Sequence, residues 1–168
     1  MPAIEKIRKR HMMKKKAQKQ LIEQLTKEYD TEISNLDDDA RLEEGVLDDG
    51  SQIILLDGEI LFFEENKVFI PSLRAILKGI ISIPQIVVDM GAVSFVVNGA
   101  DIMRPGVIKV DSRIKEGSIV VIVDENHGKP LAVGVAKMDA NEMKSINSGK
   151  VVLSKHHVGD ALWEFGKL

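Results

Sequence analysis

The chain has no cysteine among its 168 residues. No disulfide framework can hold it and no thiolate can ligate a metal, so a cytoplasmic protein is expected rather than a small secreted one. Long apolar runs are missing as well. No stretch approaches the roughly 18 continuous apolar residues of a membrane span, and no membrane partner is expected. The basic N-terminus has no apolar segment behind it, which argues against a signal peptide. Excess charge of one sign is also lacking: the formal net charge is only −3, which argues against indiscriminate coating of DNA. No GxGxxG run and no phosphate-loop lysine motif is found, and neither Ser94 nor Ser154 has the surroundings of a nucleophile elbow. Nothing in the motifs proposes an enzyme or a cofactor.

What is present is a strong charge pattern. Residues 4–20 hold eight Lys or Arg against one Glu, and residues 28–50 hold ten Asp or Glu against one Arg. Segregation of this kind can steer a polyanion onto one face and away from another, or simply leave an uneven soluble surface. Residues 4–29 read mostly as helix, with Met13, Ala17, Leu21 and Leu25 as an apolar stripe. Lys14, Lys15, Lys16 and Lys19 lie off that stripe. Arg8, Lys9, Arg10 and His11 precede it as an earlier turn or loose arm. Self-packing of the helix and RNA contact on its exposed side are compatible. Residues 30–50 read as a solvated acidic loop pinned by Leu36, Leu42 and Val46, since Asp37-Asp38-Asp39 lacks the spacing of a calcium loop.

Beyond this the chain turns to strands. Residues 53–56 and 60–63 flank Asp57-Gly58, a dipeptide that favours the type I′ hairpin turn. Residues 67–70 extend the meander. Pro71 suits the first turn of a helix whose face is Leu73, Ile76, Leu77 and Ile80. Residues 1–82 thus read as a small α+β domain with a basic amphipathic helix, packed on a second domain over residues 83–168. There, strands are expected over residues 107–110, 118–123, 131–136, 151–153 and 161–165. Gly134 permits a bulge or a close approach, and Asp139 to Glu142 forms a capping box ahead of a short helix. Short strands with glycine-rich turns suggest a small, nearly closed β-barrel.

The most informative stretch is residues 87–107. Arg104 stands between an apolar run and a Pro-Gly turn, where a guanidinium can fork to phosphate or stack on a base. Main-chain N–H groups in turns 98–100 and 104–106 can receive phosphates. Lys109 lies just beyond. Phe95 and Trp163 read as core, and Met103 as either a barrel plug or an apolar lid. Zinc is not expected. His156 and His157 fall in an apparent turn between strands, where a structural role competes with nucleotide contact.

These residues carry a resemblance. Val88-Asp89, Gly91, Phe95 and GADIMRPG at 99–106, with Gly134, Gly149-Lys150, His157-Val158-Gly159-Asp160 and Leu162-Trp163, resemble the pseudouridine synthase and archaeosine transglycosylase (PUA) domain. LDGEILFF at 56–63, Phe69 to Arg74 and Ile83-Pro84 resemble the pre-PUA domain of the malignant T-cell-amplified-sequence family of translation proteins. The resemblance implies an α+β chain ending in a PUA pseudobarrel that binds structured RNA without modifying it. The implied contact residues are Gly91, Asn98, Gly99, Ala100, Asp101, Met103, Arg104 and Gly106, with the region of His156. It further implies rRNA or tRNA as ligand, the small ribosomal subunit as partner, a role in initiation or recycling, and a density-regulated-protein-like partner supplied in trans. The eukaryotic form has cysteine at the position of Arg104, and the basic start RKRHMMKKK resembles archaeal members. The alternative expectation is an accessory RNA-binding subunit of a tRNA or rRNA modification enzyme.

Overall fold

The computed structural model describes residues 7–37 and 39–165. The chain divides into two compact units, one of residues up to Ser82 together with those from Glu164 on, and the other spanning Ile83–Trp163.

The first unit runs β1 (Ile7–Met12), α1 (Lys15–Tyr29), β2 (Glu43–Leu47), β3 (Gln52–Leu56), β4 (Glu59–Glu65), β5 (Val68–Pro71) and α2 (Leu73–Leu77). Its five strands form one antiparallel sheet in sequence order. The hairpin between β3 and β4 turns on Asp57 and Gly58, both at positive φ (51° and 81°), as the dipeptide leads one to expect. Leu21 and Leu25 of the α1 stripe are buried together with Ile53, Leu55, Leu61 and Leu73.

Two expectations for this unit need correction. Residues 7–12 form a strand, not the start of a helix or a loose arm; residues 4–6 lie outside the described residues. The reason is tertiary. β1 pairs antiparallel with β2, and Arg10 donates to Glu43 (2.7 Å) while His11 meets Glu44 (2.6 Å) and Arg8 meets Asp48 (3.5 Å). The Arg10 hydrogen bond, opposed by burial and aided by the charge, holds the Glu43 carboxyl below its ordinary range. The acidic segment is accordingly not all loop, because residues 43–47 are the strand that receives these charges, and Leu47 rather than Val46 is buried. The Asp37-Asp38-Asp39 run falls partly outside the described residues. A smaller difference is that Pro71 ends β5. Ser72 is the true N-cap of α2, accepting from the Ala75 N–H at 3.3 Å.

The second unit runs β6 (Gln85–Val88), α3 (Met90–Val97), β7 (Ile102–Met103), a 3₁₀ turn (Arg104–Gly106), β8 (Val107–Val110), β9 (Ile119–Asp124), β10 (Pro130–Ala136), α4 (Ala140–Ser145), β11 (Lys150–His157) and α5 (Ala161–Glu164). Six strands lie in the order β7-β11-β10-β9-β6-β8. The two edges, β7 and β8, are consecutive in sequence and joined by the 3₁₀ turn, so the sheet curls into a nearly closed barrel. Ile86, Val88, Val96, Ile102, Ile122, Ala132, Met143 and Val152 fill it. Gly134 fits both readings made of it: the register slips beside it, and a Cβ there would collide with the Leu153 carbonyl. Asp139 caps α4, accepting from the Glu142 N–H at 2.8 Å.

The end of the unit differs from expectation. β11 continues to His157, so His156 and His157 lie on a strand and not in a turn. Residues 161–164 form a helix rather than a closing strand. Gly159 takes a positive φ of 88°, and Asp160 then caps the helix by accepting from the Trp163 N–H at 2.9 Å. Trp163 is half-buried on that helix rather than a core residue of a strand.

Candidate nucleic-acid interface

The stretch singled out in the sequence begins where β6 hands the chain to α3. Asp89 caps this helix, accepting from the Ala92 N–H at 2.9 Å, and the Glu125 carboxylate accepts from the Met90 N–H at 3.0 Å. Gly91 is exposed on the first turn. The helix closes on a tight C-terminal turn. The N–H groups of Asn98 and Ala100 donate to the Phe95 carbonyl, that of Gly99 donates to Val96, and Gly99 takes φ +91°. The side-chain amide of Asn98 donates to the Ser94 carbonyl at 2.7 Å.

This geometry corrects one expectation about the loop. The main-chain N–H groups of residues 98–100 already donate within the turn, and that of Arg104 donates to Gly149, so none of these four is an open anion receptor. What the turn does present is shape and side chains. Asn98 and Ala100 are exposed. Gly99 lies so close to His157 that a Cβ on it would stand 3.0 Å from Nε2. The other imidazole nitrogen of His157 pairs with the Val158 carbonyl at 2.9 Å. His157, for which the sequence left a structural role and nucleotide contact both open, is therefore a neighbour of the loop.

Asp101 organises the charge. Its carboxylate accepts from the Ser154 N–H at 2.8 Å and meets the Lys150 ammonium at 3.1 Å. Burial works against ionisation of Asp101. The Ser154 N–H, the Lys150 hydrogen bond and the charges of Lys150 and Lys155 outweigh it and hold the carboxyl below the usual Asp range. Met103, opposite Lys150 in the β7–β11 ladder, is 46% exposed, which makes it a surface side chain and not a barrel plug. Residues 98–101, Met103, Lys150, Lys155 and His157 thus form one neighbourhood.

Other predicted residues go elsewhere. Arg104 is half-buried, and two of its donors are committed: Nε to the Met143 carbonyl at 2.6 Å and Nη1 to the Val107 carbonyl at 3.0 Å. It ties the turn between the two sheet edges to α4, so it helps to close the barrel. Gly106 allows that turn to approach α3, since a Cβ on it would stand 3.0 Å from Ala92 Cβ. Lys109 is exposed on β8, where its charge acts on Asp111. His156 is fully buried, with Nδ1 on the Asp160 carboxylate at 2.8 Å, so its expected contact with RNA is replaced by a structural one. Phe95, expected in the core, is 67% exposed. In the first unit, Lys14, Lys15, Lys16 and Lys19 are exposed around the start of α1, and Lys9 is exposed on β1. Arg8 and Arg10 are engaged with Asp48 and Glu43.

Among the described residues, no group of three or more His, Asp or Glu could hold a metal ion. Among them too, no helix is long and apolar enough to cross a membrane.

Comparison with known proteins places this geometry. Residues 84–158 match the PUA domain, and residues 9–79 match a domain of unknown function, DUF1947. An uncharacterized protein of Methanocaldococcus jannaschii is 39% identical over 95% of this chain and 98% of its own length. Translation machinery-associated protein 20 of Saccharomyces cerevisiae is 35% identical over 96% of this chain and 94% of its own. The crystal structure of a hypothetical protein from Pyrococcus horikoshii superposes with a TM-score of 0.74 at 32% identity, covering 93% of this chain and 98% of that one. With both units matched and the yeast protein aligned over nearly its whole length, the chain belongs to the family of PUA-domain proteins that includes translation machinery-associated protein 20 and the malignant T-cell-amplified sequences.

Proposed function

We propose that this chain is a non-catalytic RNA-binding protein of translation that contacts structured RNA, either small-subunit rRNA or tRNA, during initiation or recycling. The observation that carries the reading is the match to translation machinery-associated protein 20 across both units rather than across the PUA domain alone. An accessory subunit of a modification enzyme would need only the PUA part to be shared.

The geometry supports a contact surface in the second unit. The turn at residues 98–101 stands on the rim of α3, beside Lys150 and Lys155, whose charges act on Asp101. A phosphate backbone running over the turn meets these two lysines. Gly91, Asn98, Gly99, Ala100 and Met103 supply the exposed surface over which it runs, with His157 in place of His156. The lysines at the start of α1 form an auxiliary patch. A density-regulated-protein-like partner acts in trans, and the protein works in the cytoplasm.

Sedimentation of the tagged protein from native extract, with and without nuclease and across a salt series, tests this. Cofractionation with small ribosomal subunits that weakens with salt is expected, because released counterions make phosphate binding salt-sensitive. Recovery in a discrete complex with an RNA-modifying enzyme, absent from subunits, overturns it.

A further inference from the structure

The loop between α1 and β2 leaves a groove of about 640 Å³ in the first unit. Its apolar lining is Met12, Leu36, Leu56 and Ile80. Met12 is 48% exposed at the end of the edge strand β1, and Leu36 and Leu56 are half-buried, so this lining is open to solvent. Methionine beside aliphatic side chains suits an adaptable contact surface. The loop that forms one wall is tied down at both ends. Asn35 Nδ2 donates to the Lys78 and Gly79 carbonyls at 3.1 and 3.2 Å. Gln18 donates to the Ala40 carbonyl at 2.8 Å and accepts from the Leu42 N–H at 3.0 Å. The groove is therefore built into the fold.

The charge around it is one-sided. Asp37 and Asp39 on the loop and Asp57 on the β3–β4 turn line the groove and are exposed. None of the three carboxylates has an ion-pair partner among the described residues. The other charged groups of the lining are engaged: Glu43 with Arg10 at 2.7 Å, and Lys78 with Glu59 at 3.4 Å. Arg41 donates to the Met13 carbonyl at 2.9 Å and adds one positive charge against the three free carboxylates. The groove is left negative.

We propose that this groove docks an extended basic segment of a partner protein. One apolar side chain of the segment sits on Met12, Leu36 and Leu56, and flanking lysines or arginines face Asp37, Asp39 and Asp57. Charge complementarity selects the occupant. RNA is repelled by the free carboxylates, and a neutral apolar segment leaves them uncompensated. A bare cation makes no use of the apolar lining. Lysine and arginine use both parts, since their methylene stems lie along apolar surface while the charged heads reach out. The inference does not depend on the RNA-binding reading, because it concerns residues of the first unit alone.

The test uses the full chain and a short labelled peptide in which arginine and leucine alternate, followed by fluorescence anisotropy at low salt. One control peptide carries glycine in place of leucine, and another carries glutamate in place of arginine. The arginine–leucine peptide should bind, and both controls should bind much more weakly. Asp39→Asn with Asp57→Asn should weaken binding about fivefold, the scale of two exposed ion pairs. Asparagine before Gly58 keeps the hairpin turn, for Asn-Gly favours the same geometry. Met12→Ser should also cost about fivefold, as expected for an apolar side chain only partly covered on docking. Glu116→Gln with Glu142→Gln removes the same charge from exposed positions of the second unit and should leave affinity unchanged. If the arginine–leucine peptide does not bind, or if the groove pair and the control pair weaken it alike, the groove is not its site and the proposal is wrong. If the arginine–glycine peptide binds equally well, the apolar lining takes no part and docking is refuted. If sedimentation equilibrium shows self-association that Asp39→Asn with Asp57→Asn abolishes, a second copy fills the groove and the proposal is again wrong.

Discussion

Two basic regions of this chain face very different company. On β1, three of the four basic side chains meet a carboxylate, Arg8 on Asp48, Arg10 on Glu43 and His11 on Glu44, while Lys9 is exposed. Around the turn at residues 98–101, two lysines act on one carboxylate, Asp101. The first region is the more basic when read as a string of letters, yet three of its four basic side chains are held by carboxylates. The second has fewer basic side chains, gathered about a carboxylate that the turn itself carries. A count of lysines and arginines along a chain therefore does not by itself rank these regions, because attraction for a polyanion depends on what is left after the neighbours are counted.

The comparison can be broken most directly by removing each set of cations in turn. Replacing Lys150 and Lys155 together by alanine should lower the slope of log affinity against log salt by about 1.5, as expected for two lost phosphate contacts. Replacing Arg8 and Arg10 should change that slope by much less. It should cost at most about 1 kcal/mol of stability, since exposed pairs contribute little. Filter binding of structured RNA across a salt series checks the first, and equal slopes for the two double variants would refute the contrast. A second measurement sharpens it at Arg104, a cation that serves the fold. Arg104→Ala should destabilise the second unit by about 2 kcal/mol in urea unfolding, because two main-chain carbonyls lose a charged donor. Arg104→Lys should not recover the loss, since an ammonium cannot span both acceptors. Full stability of Arg104→Ala would return this residue to the list of free RNA ligands. The smallest effect concerns pH. Burial disfavours the Asp160 carboxylate, but the hydrogen bond and charge of His156 and the N–H groups of Trp163 and His157 hold it below the ordinary range. A carboxyl with a lowered folded pKa adds stability above its unfolded value, near 3.9, and loses it as pH falls through the lower folded value. Stability at pH 7 relative to pH 3 should therefore drop on acidification, and Asp160→Asn should flatten that drop. An unchanged acid profile in the variant would deny Asp160 this role.

Features fixed by near neighbours were legible in the sequence. Asp57-Gly58 makes its turn, Asp139 caps its helix, and Gly134 sits at a bulge, because each depends on residues a few positions away. The nearly closed barrel followed from the spacing of short strands and glycine turns. β1 was not legible. Its letters carry no strand alternation, and what makes it a strand is a complementary acidic run more than thirty residues on. The two runs were seen, but as opposed surfaces and not as partners. The part of Arg104 in the fold was hidden for a related reason: its acceptors are main-chain carbonyls of Met143 and Val107, which any residue supplies. In AVSFVV almost every position is apolar, so the sequence could not say that Phe95 faces outward and Val96 inward. Asp160 as a helix cap was present in the letters and overlooked, since Leu162 and Trp163 suggested a strand.

The placement of the sheet edges sets the order in which the barrel can assemble. β8 finds its partner β6 soon after both leave the ribosome, for only α3, β7 and a short turn lie between them. β7 follows α3 directly, yet its ladder partner is β11, the last strand of the unit. Pairings that wait for distant chain segments form late, because loop closure must come before the contact. The turn carrying Asn98 to Asp101 is tied to β11 through Ser154 and Lys150. The candidate interface is therefore finished last, after most of the unit has been synthesised, and a nascent chain does not offer a complete RNA surface while it is still being made.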